Sequence, residues 1–326
     1  IQEGVYGSVQ NQIQSDKTHL DRHCSTLMGM NSDIIDYLFP EEPGTFGKTV
    51  TDNYAQIPKK LTRPIDPITR QKFQHGYYAN IGVNQNTALY QLKEFEKFVA
   101  GNYITPSVIA FTAPRNKNAV KRTVAMLQEK NVSLVIQLTD APLQDDVFKM
   151  TPYYDGVGTP LRTGLIERTL STTNQTKHLH MPGFPDHGTP DSKDPTNPLG
   201  DGTTMLFHAI DYAIEKTKNS GNLAVHCSAG VGRTGIFLTL FFLRLASLHP
   251  KHCLKKDNPV NSFLEKHFQS KKLKDLNPLE KQQLTAMVIM HLRVQRNSQM
   301  VQDQIQAEWL LREDVFNQSI QPDSRA

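Results

Sequence analysis

Two residues six positions apart, Cys227 and Arg233, set the chemical question, because they sit in the stretch Leu223-Ala-Val-His226-Cys227-Ser228-Ala229-Gly230-Val231-Gly232-Arg233-Thr234-Gly235. The apolar, partly β-branched start predicts a short buried strand from Asn222 to Val225. The glycines predict a loop, and the apolar run from Gly235 to Leu248 predicts a buried helix. A strand that turns through glycines into a helix aims successive backbone N–H groups and the positive end of the helix at one point, where a dianion can sit. Ser228, Ala229, Gly230, Val231 and Gly232 would line that cradle. A cysteine at its strand end meets the helix terminus and the Arg233 charge, which both favour thiolate over thiol and make a nucleophile at neutral pH. Arg233 can bond two phosphate oxygens at once with its planar fork. The Thr234 hydroxyl can donate to the sulfur; its plainer role is a helix N-cap. The bland alternative is an inert buried cysteine and a surface arginine. From average composition, His-Cys followed by Arg at this spacing arises on the order of once in a hundred chains of this length, before the glycines are counted.

The stretch resembles the signature of the protein tyrosine phosphatase family, His-Cys-x5-Arg-Ser/Thr, at every defining position. That resemblance implies an α/β fold, a twisted mixed sheet flanked by helices. It also implies hydrolysis of phosphotyrosine in proteins through a phosphocysteine intermediate, with no cofactor. Three further segments carry matches. His180-Met-Pro-Gly-Phe184-Pro185-Asp186-His187-Gly188 resembles the family's Trp-Pro-Asp loop and implies Asp186 as the general acid that protonates the leaving phenolate. Phe184 stands in place of the Trp, keeping an aromatic body without the indole donor. Met300-Val301-Gln302-Asp303-Gln304-Ile305-Gln306, preceded by Leu292-Arg-Val-Gln-Arg296, resembles the family's glutamine segment and implies Gln302 and Gln306 as the groups that position water; Asp303 replaces a Thr. Asp52-Asn53-Tyr54-Ala55-Gln56-Ile57 resembles the segment whose Tyr walls a deep cleft. It implies Tyr54 as that wall, with Asn53 in place of an Arg and Gln56 in place of an Asp.

The elements that must hold these groups follow from the pattern between them. Ser107–Thr112 and Ser133–Thr139 read as strands around a helix at Ala119–Lys130. Helices are expected at Thr204–Lys218, Leu279–Arg296 and, more loosely, Ala88–Val99. Residues 1–45 read as an N-terminal helical extension and linker, with an amphipathic piece at Ser32–Phe39. The catalytic domain is expected over 46–316 and a tail over 317–326. The opening Ile1-Gln2-Glu3 has neither an initiator Met nor a signal-peptide apolar core, so a fragment of a longer protein is expected.

Composition narrows the alternatives. Apolar residues make up 38% and charged residues 21% of 326, the profile of a folded chain. The apolar run Ile236–Leu248 carries Arg244 and is too short to cross a bilayer, which needs about 20 residues. A formal charge of +4 is far from a nucleic-acid-binding profile. The lysines at 251, 255, 256, 266, 271, 272 and 274 are interleaved with acids and read as a solvated surface. Cys24, Cys227 and Cys253 have no disulfide or metal spacing, which fits a reducing cytosol.

Gly44-Thr-Phe-Gly47-Lys48-Thr49 has an acid, Glu42, where a nucleotide loop needs glycine. His178 and His180 read as a loop pair without a third metal ligand. A phosphoinositide phosphatase would share the cradle, but its extra phosphates call for lysines that Ser-Ala-Gly-Val-Gly lacks. A phosphotyrosine-binding module without turnover is the other alternative. The looseness of the outer matches resembles the effectors that bacterial pathogens deliver into host cells, which implies host signalling proteins as partners.

Overall fold

The computed structural model describes residues 17–40, 54–55, 83–84, 86–90, 97–139, 150–154, 156–161, 164–170, 176–191, 202–219, 221–248 and 252–321. In chain order the elements are α1 (Lys17–Met28), α2 (Ile34–Leu38), β1 (Tyr54–Ala55), β2 (Val83–Asn84), β3 (Gly101–Thr105), β4 (Val108–Thr112), α3 (Lys117–Glu129) and β5 (Val132–Gln137). They continue with β6 (Thr159–Pro160), β7 (Ile166–Thr169), β8 (Lys177–His180), α4 (Gly202–Lys216), β9 (Asn222–Cys227), α5 (Gly232–Leu248), α6 (Pro259–His267), α7 (Pro278–Gln295), α8 (Gln304–Leu310) and α9 (Glu313–Ile320). Seven strands form one mixed sheet in the order β3-β4-β9-β5-β8-β7-β6. The inner strands β4, β9, β5 and β8 run parallel, and β3, β7 and β6 add antiparallel edges.

Helices cover both faces, and strand alternation shows it. Leu223 and Val225 of β9, Leu134 and Ile136 of β5, and Val108 and Ala110 of β4 point into the larger core beneath α4, α5 and α7. Ala224, Val135, Ile109 and Phe111 point into a second core against α3. Parallel strands buried on both faces need such near-continuous apolar runs. Leu20, Cys24, Leu27, Ile34 and Leu38 of α1 and α2 belong to the larger core. Gln283 of α7 fastens them, its amide donating to the Leu27 and Met30 carbonyls at 3.1 and 2.9 Å. α7 opens with a capping box, Asn277 and Glu280 each bonding the other's backbone N–H, with Pro278 at the first helical position.

Two expectations are corrected. Ala88 is not helical; it forms an antiparallel bridge with Asn102, and Leu89 N–H donates to the Gly101 carbonyl. The Asn102 side-chain amide donates to the Asn84 carbonyl at 2.8 Å; residues 91–96 of the expected helix lie outside the described residues. His178 and His180 are strand residues of β8, not a loop pair. Both are fully buried, their Nε2 atoms 3.0 Å from Gln137 Oε1 and 2.5 Å from the Thr139 carbonyl. The stretches Gly44–Thr49 and Asp52–Asn53 lie outside the described residues.

Candidate active site

The site forms where β9 ends and α5 begins, at the carboxyl end of the parallel strands, the usual place for a ligand in such a sheet. The loop between them is fixed by its carbonyls. Ser228 O accepts from Ala113 N–H at 3.1 Å and Ala229 O from the Thr112 hydroxyl at 2.9 Å; Val231 O accepts from Gly235 N–H at 2.9 Å and Val301 N–H at 3.3 Å. With the oxygens turned outward, the N–H groups of Val231 and Thr234 reach the Cys227 sulfur. Two glycines permit this path. Gly230 lies at φ 75°, and a Cβ there would sit 2.1 Å from the Phe111 carbonyl oxygen. A Cβ on Gly235 would sit 2.5 Å from Val301 N. Val301, β-branched yet at φ 55°, is held by Arg293, which donates to the Met300 and Val301 carbonyls at 3.0 and 3.3 Å.

Cys227 is buried at the floor. Burial pushes its thiol up, but the Arg233 guanidinium, the Thr234 hydroxyl and the N–H groups of Thr234 and Val231 outweigh that and hold it below its ordinary value. The Thr234 hydroxyl is itself buried with no nitrogen or oxygen partner, which leaves it to the sulfur. Behind the sulfur, His226 is pushed down to about 4 by burial, with His180 and Arg233 adding to the effect. Its Nδ1 bonds the Cys227 carbonyl at 3.0 Å and the Tyr153 hydroxyl meets Nε2 at 2.7 Å, so a neutral imidazole supports the loop from below.

Arg233 is 2% exposed. Its Nη1 donates to the Phe184 carbonyl at 3.1 Å, and Nη2 lies 2.9 Å from an Asp186 carboxylate oxygen. Nε has no hydrogen-bond partner, and Nη2 none beyond that ion pair. Asp186 thus reaches Arg233 from residues 181–191, with 38% of its side chain exposed. The Phe184 ring is fully buried in the larger core; only its carbonyl meets the site.

The structure gathers Cys227, the 228–232 loop, Arg233, Thr234, Asp186, Gln302 and Gln306. The Gln306 side chain is buried beside the Cβ position of Gly232. Its Oε1 accepts from the N–H groups of Gln302 and Asp303 at 3.1 and 3.4 Å, and its Nε2 donates to the Gly188 carbonyl at 3.3 Å. Tyr54 enters only as backbone in β1, paired with Asn84; its side chain lies outside the described residues. Sequence reasoning missed Arg115, which donates to Ser228 Oγ at 3.2 Å, and the ion pair of Asp191 with Arg312 at 2.9 Å. No local pattern announces either contact. Among the described residues no group of three or more His, Cys, Asp or Glu could hold a metal ion, and no helix is long and apolar enough to cross a membrane.

Residues 159–312 match the family model for protein-tyrosine phosphatase. The catalytic domain of human protein tyrosine phosphatase non-receptor type 18 superposes with a TM-score of 0.56 at 18% identity, covering 91% of this chain and 99% of that one. The chain has the protein tyrosine phosphatase fold. Trypanosoma brucei protein tyrosine phosphatase TbPTP1 is similar too, with a TM-score of 0.50, 19% identity, and coverage of 76% of this chain and 84% of that one. Among curated relatives, human tyrosine-protein phosphatase non-receptor type 20 is 39% identical over 74 residues, 23% of this chain and 15% of its own. Mouse tyrosine-protein phosphatase non-receptor type 7 is 26% identical over 218 residues, 59% of this chain and 58% of its own. The chain therefore spans less than two thirds of these relatives. The matched family and these curated relatives are all tyrosine phosphatases. The relatives named are animal and trypanosomal, and they lend no support to a bacterial effector.

Proposed function

We propose that the chain hydrolyses phosphotyrosine in proteins through a phosphocysteine on Cys227. One observation carries this reading: a fully enclosed thiol is held below its ordinary value by Arg233, Thr234 and inward N–H groups, with a carboxylate 2.9 Å from that same Arg233. In the resting arrangement Asp186 occupies Arg233 as a phosphate oxygen would. An entering phosphate dianion displaces it and takes Nε and Nη2 of Arg233 together with the N–H groups of the loop. Asp186, freed from Arg233, takes up a proton; the thiolate attacks phosphorus, the P–O bond to the ring breaks, and Asp186 gives that proton to the departing phenolate. Water then attacks phosphorus, Asp186 takes its proton, and the Cys227 thiolate leaves, stabilised by the Thr234 hydroxyl.

Gln302, beside Gly232, is suited to orient that water. Gln306 has its Oε1 filled by backbone N–H groups and keeps one Nε2 hydrogen for the task. Tyr54 is proposed as the wall that admits a phenyl phosphate and leaves phosphoserine short of the floor. The phosphatase PTPN18, similar in fold with a TM-score of 0.56, was solved in complex with HER2-pY1196 phosphor-peptides. Phosphotyrosine in a peptide segment is the substrate class proposed here.

The test is phosphate release by the purified chain, with EDTA present, from a phosphotyrosine peptide, a phosphoserine peptide and a phosphoinositide in parallel. Release from phosphotyrosine alone is expected. Release from the lipid, or from none, overturns the reading.

A further inference from the structure

Residues 181–191, which carry Asp186, are tied to the start of α8 and to the residues just beyond it by side chains. His187 Nδ1 lies 3.0 Å from Asp303 Oδ2, Gln306 Nε2 donates to the Gly188 carbonyl, and Arg312 Nη1 bonds Asp191 Oδ2. The first of these joins the residue after Asp186 to the residue after Gln302. His187 adopts φ 56°, a left-handed conformation sparsely populated by side-chain-bearing residues and kept where surrounding contacts hold it. Asp303 also stands where the motif resemblance expects a Thr, which has no carboxylate to offer an imidazole.

We propose that Asp303 is a positioning residue for the reaction: through His187 it holds residues 181–191 down, keeping Asp186 at Arg233. The pair is partly open to water, with 61% of the His187 side chain and 31% of the Asp303 side chain exposed. A pair so placed contributes little to global folding, and its charge-assisted hydrogen bond acts on the local closing equilibrium. An effect of about two- to fivefold on closure follows from that weak range. This inference rests on Asp186 as the acid.

The test measures kcat/KM, which reports the steps up to cysteine phosphorylation, with a phosphotyrosine peptide and with an aryl phosphate whose leaving group needs no proton. The chains compared are the parent, Asp303→Asn, His187→Asn, the double variant, Asp186→Ala and Asp186→Ala combined with Asp303→Asn. Asn keeps an N-cap at 303 and tolerates the left-handed backbone at 187, so melting temperatures should match the parent. Each single variant should lose about two- to fivefold on the peptide. Neither should change on the activated ester, the double variant should be no worse than either single one, and Asp303→Asn should add nothing to Asp186→Ala. A parental rate for Asp303→Asn while Asp186→Ala is slow overturns the positioning role alone, as does an Asp303→Asn loss that persists in the Asp186→Ala background. A parental rate for Asp186→Ala removes the acid assignment and this role with it.

Discussion

The loop that carries Cys227 and the segment that carries Asp186 face each other across the same site and are built in opposite ways. The loop is fixed by backbone: its carbonyls are bonded to Ala113, Thr112, Gly235 and Val301, and Gly230 and Gly235 lie against backbone atoms with no room for a Cβ. The segment at 181–191 is anchored by the buried side chains of Met181 and Phe184, and its middle and end are held by side-chain contacts: Asp186 on Arg233, His187 on Asp303, the Gln306 amide on the Gly188 carbonyl, Asp191 on Arg312. Preorganised N–H groups stabilise developing charge only while they stay put, whereas a proton donor must let substrate in and product out. One half of the site is therefore held by backbone hydrogen bonds and close backbone packing, and the other by side-chain contacts that can part.

The largest effect is expected at the rigid half. Cys227→Ser should abolish turnover while phosphotyrosine peptide binding persists, because the N–H groups and Arg233 remain; isothermal titration beside a phosphate-release assay checks both. Retained hydrolysis would remove the nucleophile assignment. At the movable half, Asp186→Ala should lower kcat on phosphotyrosine by roughly 10²–10⁴-fold and much less on an activated aryl ester. Equal losses on both substrates would show that Asp186 does something other than supply a proton.

Gly230→Ala sharpens the contrast, since a Cβ 2.1 Å from the Phe111 oxygen at φ 75° must displace backbone. Destabilisation of about 2–4 kcal/mol in chemical denaturation, with collapse of activity, is expected. Gly188→Ala in the movable segment would be milder by the same measure if side-chain contacts hold that segment, and an equal loss would break the distinction.

A separate effect concerns pH. His226 and His291 are buried and pushed down to about 4 from an ordinary value of 6.5, burial being the first cause for each. Their neutral forms contribute stability that is complete above about 6.5. It is lost as pH falls toward about 4, because the unfolded chain binds those protons first. Urea unfolding across that window should show uptake of about two protons from this pair. Stability that holds level from pH 6.5 to 4.5 would contradict the buried neutral imidazoles.

How much of this was legible follows the same division. The strand, loop and helix around Cys227 are local, so the run of apolar residues, glycines and Arg233 announced them. α5 begins at Gly232, three residues before the expected start, because the loop itself enters the helix. Asp186 was legible through Pro185 and Gly188 beside it. The contacts that hold it were not: Asp303 lies 116 residues from His187 and Arg312 lies 121 from Asp191, and nothing in the spacing of single residues encodes such pairs. The helix-like reading of Ala88–Val99 fails at its described start for the same reason, residues 91–96 lying outside the described residues. Its apolar spacing suits a helix, but Asn102 and the β3 edge claim Ala88 as a bridge partner, and tertiary pairing overrides local preference. Asp303, which replaces a Thr of the motif, gained a partner only when the fold brought His187 against it.

The most direct test of a fixed cysteine nucleophile is quenched-flow with a phosphotyrosine peptide labelled in its phosphate, using the parent and a Gln302→Ala chain slowed at hydrolysis, followed by mapping of the labelled peptide. The expected result is a transient thiophosphate on Cys227, more abundant in Gln302→Ala and absent in Cys227→Ser. Steady phosphate release with label on no residue, or on any other residue, would contradict it.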